Sequence, residues 1–272
     1  MAFDLQLSGR AVLITGGSRG LGRALALACA QQGMRVAICA RTRESLDEVA
    51  AAVRKGGAVC VPIVADLSES AGCRRAVETA TEAFGTLDVL INNASTRVAG
   101  APASIMDMDD AHLTARFMGK TMAAIHCAQA AVPVMRAAGE GRILCIGGTA
   151  SRTALGPGDT TAKNSALPQG LGNAALSNFC KYLSDEVAPD RITVNIVHPH
   201  TMYTARMVER ALSIGEDEAS VIERMTARIP LGRLITADDV VGIVLFLASP
   251  LASAITGQSI AVDGGALRGV VY

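Results

Sequence analysis

Short, continuously apolar runs rich in β-branched residues alternate along the chain with longer runs rich in Ala and Leu. The short runs predict strands at Ala11–Thr15, Arg35–Ala40, Val59–Val64, Leu87–Asn92, Arg142–Ile146, Ile192–Val197 and Ser259–Val262. The longer runs predict helices at about 20–32, 44–55, 69–84, 108–138, 172–188, 206–228 and 237–248. Runs such as VLIT and DVLIN show no polar alternation, as expected of strands covered by helices on both faces. Strict alternation of strand and helix predicts an α/β fold, a doubly wound and mostly parallel seven-stranded sheet, with 1–272 as a single domain.

Two stretches break the pattern. Residues 149–172 are rich in Gly, Pro, Ser and Thr, and 198–205 read HPHTMYTA. Both follow predicted strands, where doubly wound sheets place their ligands. Residues 198–230 hold Met202, Met207 and Met225, and methionine suits irregular apolar ligands and ordinary packing equally.

Composition narrows the function classes. Half the residues are apolar and 18% are charged, which excludes a disordered chain, and aromatics at 3% leave a core of aliphatic residues. Lys+Arg and Asp+Glu are 25 each, so no basic stripe points to nucleic acid. The longest apolar stretch, Val240 to Ala248, is too short for a bilayer, and the N-terminus lacks the pattern of a signal peptide. Seven scattered cysteines without a C-x-x-C pair suit reduced thiols in a cytoplasmic protein, with no metal site.

The first strand leads into TGGSRGLG, which holds Gly16, Ser18, Arg19, Gly20, Leu21 and Gly22. Glycines here permit a tight turn and close backbone approach to a pyrophosphate, and the following helix start favours that anion. A dinucleotide site is the expectation. The second strand ends in Ala40-Arg41-Thr42, where an NAD site usually carries an acid. Arg19, Arg41 and Ser18 could clamp a 2′-phosphate, so NADP(H) is favoured over NAD(H).

Thr15-Gly-x-x-x-Gly-x-Gly resembles the short-chain dehydrogenase/reductase family, and the resemblance runs nearly end to end. Asp66-Leu67 is similar to the family's adenine-contacting pair. Asn92-Asn93-Ala94 resembles its Asn-Asn-Ala-Gly motif, with Ser95 in the last place. Val194-Asn195, Pro199, Thr204 and Val262-Asp263-Gly264-Gly265 stand in their usual order. The resemblance implies a Rossmann-like fold, cofactor contacts from these motifs and from Thr42 and Thr201, a substrate-lid segment at 198–230, a small-molecule substrate, and a homodimer or homotetramer.

It also implies a catalytic Asn, Ser, Tyr and Lys, and here the chain departs from the family. Counting back from the family's Lys-Ala-Ala-Leu pattern, NAAL places Asn173 at the Lys position and Gln169 at the Tyr position. Gly148 falls at the Ser position and Lys120 at the Asn position. A rival register puts Asp159 and Lys163 at the Tyr and Lys positions, but its helix would run through Pro168, Gly170 and Gly172. Pro costs about 3 kcal/mol inside a helix and each Gly about 1 kcal/mol, which disfavours that register. Lys163 could still reach the site from its loop.

The favoured register moves an ammonium to Lys120 and an amide to Asn173. Met118, Met122 and Ala123 suggest a buried helix around Lys120, and burial would lower its pKa toward neutrality. Gln169 can hydrogen-bond a carbonyl but cannot protonate it. Lys120 is therefore the first candidate proton donor, followed by His200 and Tyr203. Three functions remain open: an NADP(H)-dependent oxidoreductase acting on a small carbonyl or alcohol, a non-redox lyase, hydratase or isomerase using Lys120, and a cofactor-binding protein without turnover.

Overall fold

The computed structural model describes residues 4–95, 104–154, 166–204, 208–209, 212–213, 215 and 217–269. Asp159, Lys163 and Met207, and with them the rival register, lie outside the described residues. Seven parallel strands form one sheet: β1 (Ala11–Thr15), β2 (Arg35–Ala40), β3 (Cys60–Val64), β4 (Val89–Asn92), β5 (Gly141–Ile146), β6 (Ile192–Pro199) and β7 (Ser259–Val262). Their order is β3-β2-β1-β4-β5-β6-β7, so the winding reverses between β1 and β4 and opens a crevice at the strands' C-terminal ends. All residues of β1, β4, β5 and β6 are buried, which explains their unbroken apolar runs.

Helices α1 (Gly20–Gln31), α2 (Arg43–Lys55) and α3 (Ser70–Phe84) follow the first three strands. Then come α4 (Asp110–Arg116), α5 (Ala123–Ala138), α6 (Leu167–Val187), α7 (Glu218–Thr226) and α8 (Ala237–Ala248). One face of the sheet packs on α3, α5 and α6 through residues such as Leu90, Cys127 and Leu176. The other packs on α1, α2 and α8 through Leu25, Val49 and Val244. The seven cysteines are all buried and free. Among the described residues, no helix is long and apolar enough to cross a membrane.

Four sequence expectations are corrected. The helix expected over 108–138 is interrupted by a π-helical turn at Phe117–Met122. The helix expected from 172 starts at Leu167, because Pro168 sits in the first turn, where its missing N–H breaks no hydrogen bond. Gly170 is tolerated there because a Cβ would stand 2.8 Å from the Ala150 carbonyl oxygen; only Gly lets the two segments come this close. The helix expected over 206–228 is not continuous: Gly215 has φ +76°, and Asp217 opens α7 by accepting from the Ser220 N–H. Strand β6 runs two residues beyond Val197, so His198 and Pro199 belong to the sheet.

Candidate active site

The turn after β1 lies at the reversal point of the sheet. Gly16 and Gly20 adopt φ of +66° and +54°, a left-handed conformation that suits glycine. A Cβ on Gly22 would stand 2.2 Å from the Gly16 carbonyl oxygen and 2.6 Å from Asn93 Nδ2. Asn93 stitches the turn to β4: its Nδ2 donates to the carbonyls of Thr15 and Gly16, at 3.0 and 3.2 Å. The Thr15 hydroxyl oxygen accepts from the N–H groups of Asn93 and Ala94, at 2.9 and 3.0 Å. Arg19 precedes α1 without a side-chain cap, and no acid stands in the first turn that holds Leu21. The positive end of the helix is thus left for an anion, and the cradle fits a pyrophosphate.

Further along the edge, Arg41 and Thr42 follow β2 and are exposed, like Arg19, while Ser18 is half-buried. Asp66 Oδ1 accepts from the Ser68 N–H and hydroxyl at 3.0 and 2.8 Å. Those bonds hold its carboxyl below the usual range, and the Arg41 charge adds a smaller lowering. Leu67 is buried beneath it. Pro199 is buried at the end of β6, and Thr201 and Thr204 beyond it are half-buried.

Lys120, on the π-helical turn, donates from Nζ to the Gly147 carbonyl at 3.0 Å. π-Helical turns widen the helix by one residue and recur at functional sites. The next residue, Thr121, is buried and donates to the Gly172 carbonyl at 2.8 Å, locking this turn to α6. Lys120 and Met122 are half-buried and Ala123 is buried, whereas Met118 is 43% exposed. Burial pushes the Lys120 amine from its ordinary 10.5 down to about 7, with repulsion from Arg116 as the second cause.

Asn173 is buried, and its Oδ1 has no hydrogen-bond partner among the described residues. An orphaned acceptor at this depth fits a hydroxyl-bearing ligand. A Cβ on Gly148 would stand 2.8 Å from Asn173 Nδ2, so the two positions touch. Lys120, Gly148 and Asn173 therefore meet around the turn that leaves β5. Gln169, one turn before Asn173 on α6, is exposed. His200 is half-buried, with Nδ1 2.7 Å from the Thr149 hydroxyl. Tyr203 is exposed and donates to Glu218 at 2.7 Å, which raises its pKa. A cavity of 370 Å³ flanks the first turns of α6, lined by Ile105, Ala150, Arg152, Leu167 and Leu171.

Sequence reasoning missed His198. It was expected to begin a loop, yet it is fully buried, with Nδ1 3.0 Å from the Gly148 N–H nitrogen. Its Nε2 lies 3.0 Å from the Ser259 hydroxyl and 3.3 Å from that of Ser177. Burial pushes its pKa down to about 4, so the ring is neutral at physiological pH. The double glycine of CIGG was the available signal, because a Cβ on Gly147 would stand 2.4 Å from His198 Nδ1. Gly147→Ala is expected to destabilise the fold by about 1–3 kcal/mol through overpacking. In calorimetry that lowers Tm by about 2–4 °C per kcal/mol; an unchanged Tm would contradict the packing described.

A family model described as enoyl-(acyl carrier protein) reductase matches residues 16–266. The chain is 32% identical to an NADPH-dependent reductase of Bacillus subtilis, covering 97% of this chain and 100% of that protein. It is 31% identical to the rhamnolipids biosynthesis 3-oxoacyl-(acyl-carrier-protein) reductase of Pseudomonas aeruginosa, over 95% of this chain and 96% of the relative. Among solved structures it superposes on L-sorbose reductase of Gluconobacter frateurii, in complex with NADPH and L-sorbose. That match has a TM-score of 0.89 at 28% identity and covers 98% of this chain and 100% of the other.

Proposed function

The chain belongs to the short-chain dehydrogenase/reductase family and is an oxidoreductase of that type; we propose that it uses NADP(H) on a small carbonyl or alcohol and that Lys120 handles the proton. The carrying observation is the Lys120 amine held 3.0 Å from the Gly147 carbonyl, beside buried Asn173, with a pKa of about 7. On this reading Gly148, Gln169 and Asn173 replace the family's Ser, Tyr and Lys, and the lyase and binding-only alternatives have no observation of their own.

When bound, the nicotinamide nucleotide supplies the hydride to the carbonyl carbon. The Gly16–Gly22 turn and the start of α1 would hold its pyrophosphate, Arg41 with Arg19 and Ser18 its 2′-phosphate, and Asp66-Leu67 its adenine. Asn173 Oδ1, which has no partner among the described residues, would accept from a hydroxyl of the nicotinamide ribose. Lys120 gives its proton to the carbonyl oxygen during reduction and takes it back during oxidation. A pKa near 7 leaves both forms populated at neutral pH, which general acid–base work requires. Gln169 can hydrogen-bond the substrate only. Tyr203 is the poorer donor because its proton is committed to Glu218.

Fluorescence titration with NADPH and NADH, followed by a panel of small ketones, tests the reading. NADPH should bind more tightly than NADH, and Arg41→Ala should weaken NADPH by about 10–100-fold, the worth of one or two charged hydrogen bonds. NADH binding should stay unchanged in that variant. If neither nucleotide binds below about millimolar, a −4 kcal/mol interaction, the proposal is overturned.

A further inference from the structure

The mechanism leaves one buried titratable group unused. His198 lies at the C-terminal end of β6, and its ring touches three separate segments, the 147–151 turn, α6 and β7. Nδ1 lies 3.0 Å from both the N–H nitrogen and the carbonyl oxygen of Gly148, and the Ser151 hydroxyl oxygen lies at 3.3 Å. Ser151 donates to the Gly148 carbonyl and Ser177 to the Asn173 carbonyl, and the Ser177 oxygen lies 3.3 Å from Nε2. Ser259, on β7, stands 3.0 Å from the same nitrogen. The ring thus holds the Gly148 peptide from its Nδ1 side and the Ser177 and Ser259 hydroxyls from its Nε2 side. Gly147 is glycine because the ring fills the space where its side chain would be.

We propose that His198 is a positioning residue for Lys120: its ring fixes the Gly147–Gly148 turn, so that the Gly147 carbonyl is presented to the Lys120 amine. The proposal rests on the reading of Lys120 as the proton donor. Gly147 is gripped from both sides, by its own N–H bond to the Val197 carbonyl at 2.7 Å and by the ring against its Cα. Its carbonyl has no side chain of its own to set its direction, so the ring and the next peptide's bond to Nδ1 set it. The charged and titratable groups around this point are Arg116 before the π-helical turn, Cys145 on β5, Arg152 after the β5 turn, and His198 itself. Burial is the largest influence on Lys120, so admitting water outweighs the loss of one carbonyl contact and moves its titration upward.

The test follows Lys120 directly, with 13C-labelled lysine in the full-length enzyme and the resonance assigned by its disappearance in Lys120→Met. An Asn amide reaches the place of Nδ1, and a Gln amide the place of Nε2. His198→Gln should raise the Lys120 midpoint by about one unit or more and lower kcat about tenfold or more, with the KM for NADPH unchanged. His198→Asn should restore both the midpoint and the rate. An unmoved midpoint in His198→Gln, or equal effects of Asn and Gln, would overturn the proposal. Should Lys120→Met stay active, the proton-donor reading fails, while the NMR midpoint still decides whether His198 positions the amine.

Discussion

Lys120→Met is expected to lower kcat for carbonyl reduction by about 10²–10⁴-fold, the ordinary worth of a positioned general acid. NADPH affinity should stay within a few-fold, because the amine bonds the Gly147 carbonyl and lies away from the glycine turn. In the native enzyme kcat/KM for reduction should fall as pH rises through about 7, since the acid must carry its proton. Alcohol oxidation should show the mirror profile, falling below that pH. The variant should lose this limb in both directions. A limb persisting in Lys120→Met would transfer the proton to another group, with His200 the first to test by substitution.

The same group makes a stability prediction with a fixed sign. Folded Lys120 loses its proton at about 7, and an unfolded lysine keeps it to 10.5. Between those values the unfolded chain binds more protons, so this residue makes stability rise with pH across that window. Below it, the cost of the buried charge is present in full. Chemical denaturation of Lys120→Met should therefore show greater stability than the native chain at pH 7, with the gap narrowing toward alkaline pH. A variant less stable at pH 7 would contradict the burial described.

Gly22→Ala is expected to weaken nucleotide binding. Its methyl group would meet a backbone oxygen at 2.2 Å and Asn93 Nδ2 at 2.6 Å. Neither can yield cheaply, because Asn93 is itself bonded to the carbonyls of Thr15 and Gly16. The turn must open, and the amides at the start of α1 move off the pyrophosphate. Overpacking of this kind costs about 1–3 kcal/mol, so NADPH should bind about 10–100-fold more weakly. Gly20→Ala is the informative contrast. A Cβ there meets nothing within 4 Å, so only its φ of +54° opposes the change. Gly22→Ala binding NADPH as tightly as the native protein would refute the cradle.

The sheet was legible because its physics is local. A strand covered on both faces must be apolar at every position, and runs such as AVLIT carry that requirement openly. The glycine turn was legible for a related reason, since positive φ and close backbone contact admit few other residues. Helix α6 was read five residues short because Pro168 and Gly170 look like breakers. Their tolerance comes from position in the first turn and from Ala150 across the gap, and neither is local information.

Counting along motifs named Lys120, Gly148 and Asn173 as candidate residues but could not say that they surround one turn. Strand order, the π-helical turn at Phe117–Met122 and the lock of Thr121 onto Gly172 bring them there. His198 was invisible, since a histidine before a proline reads as the start of a loop; the sheet extends over it and buries it among three serines from distant segments. Periodicity and backbone sterics are written into consecutive residues, so the sequence by itself determined the fold and the glycine turn proposed to hold a dinucleotide. Desolvation depends on what the completed fold stacks around a group, so only the tertiary structure decided that Lys120 titrates near neutrality and that His198 stands behind it.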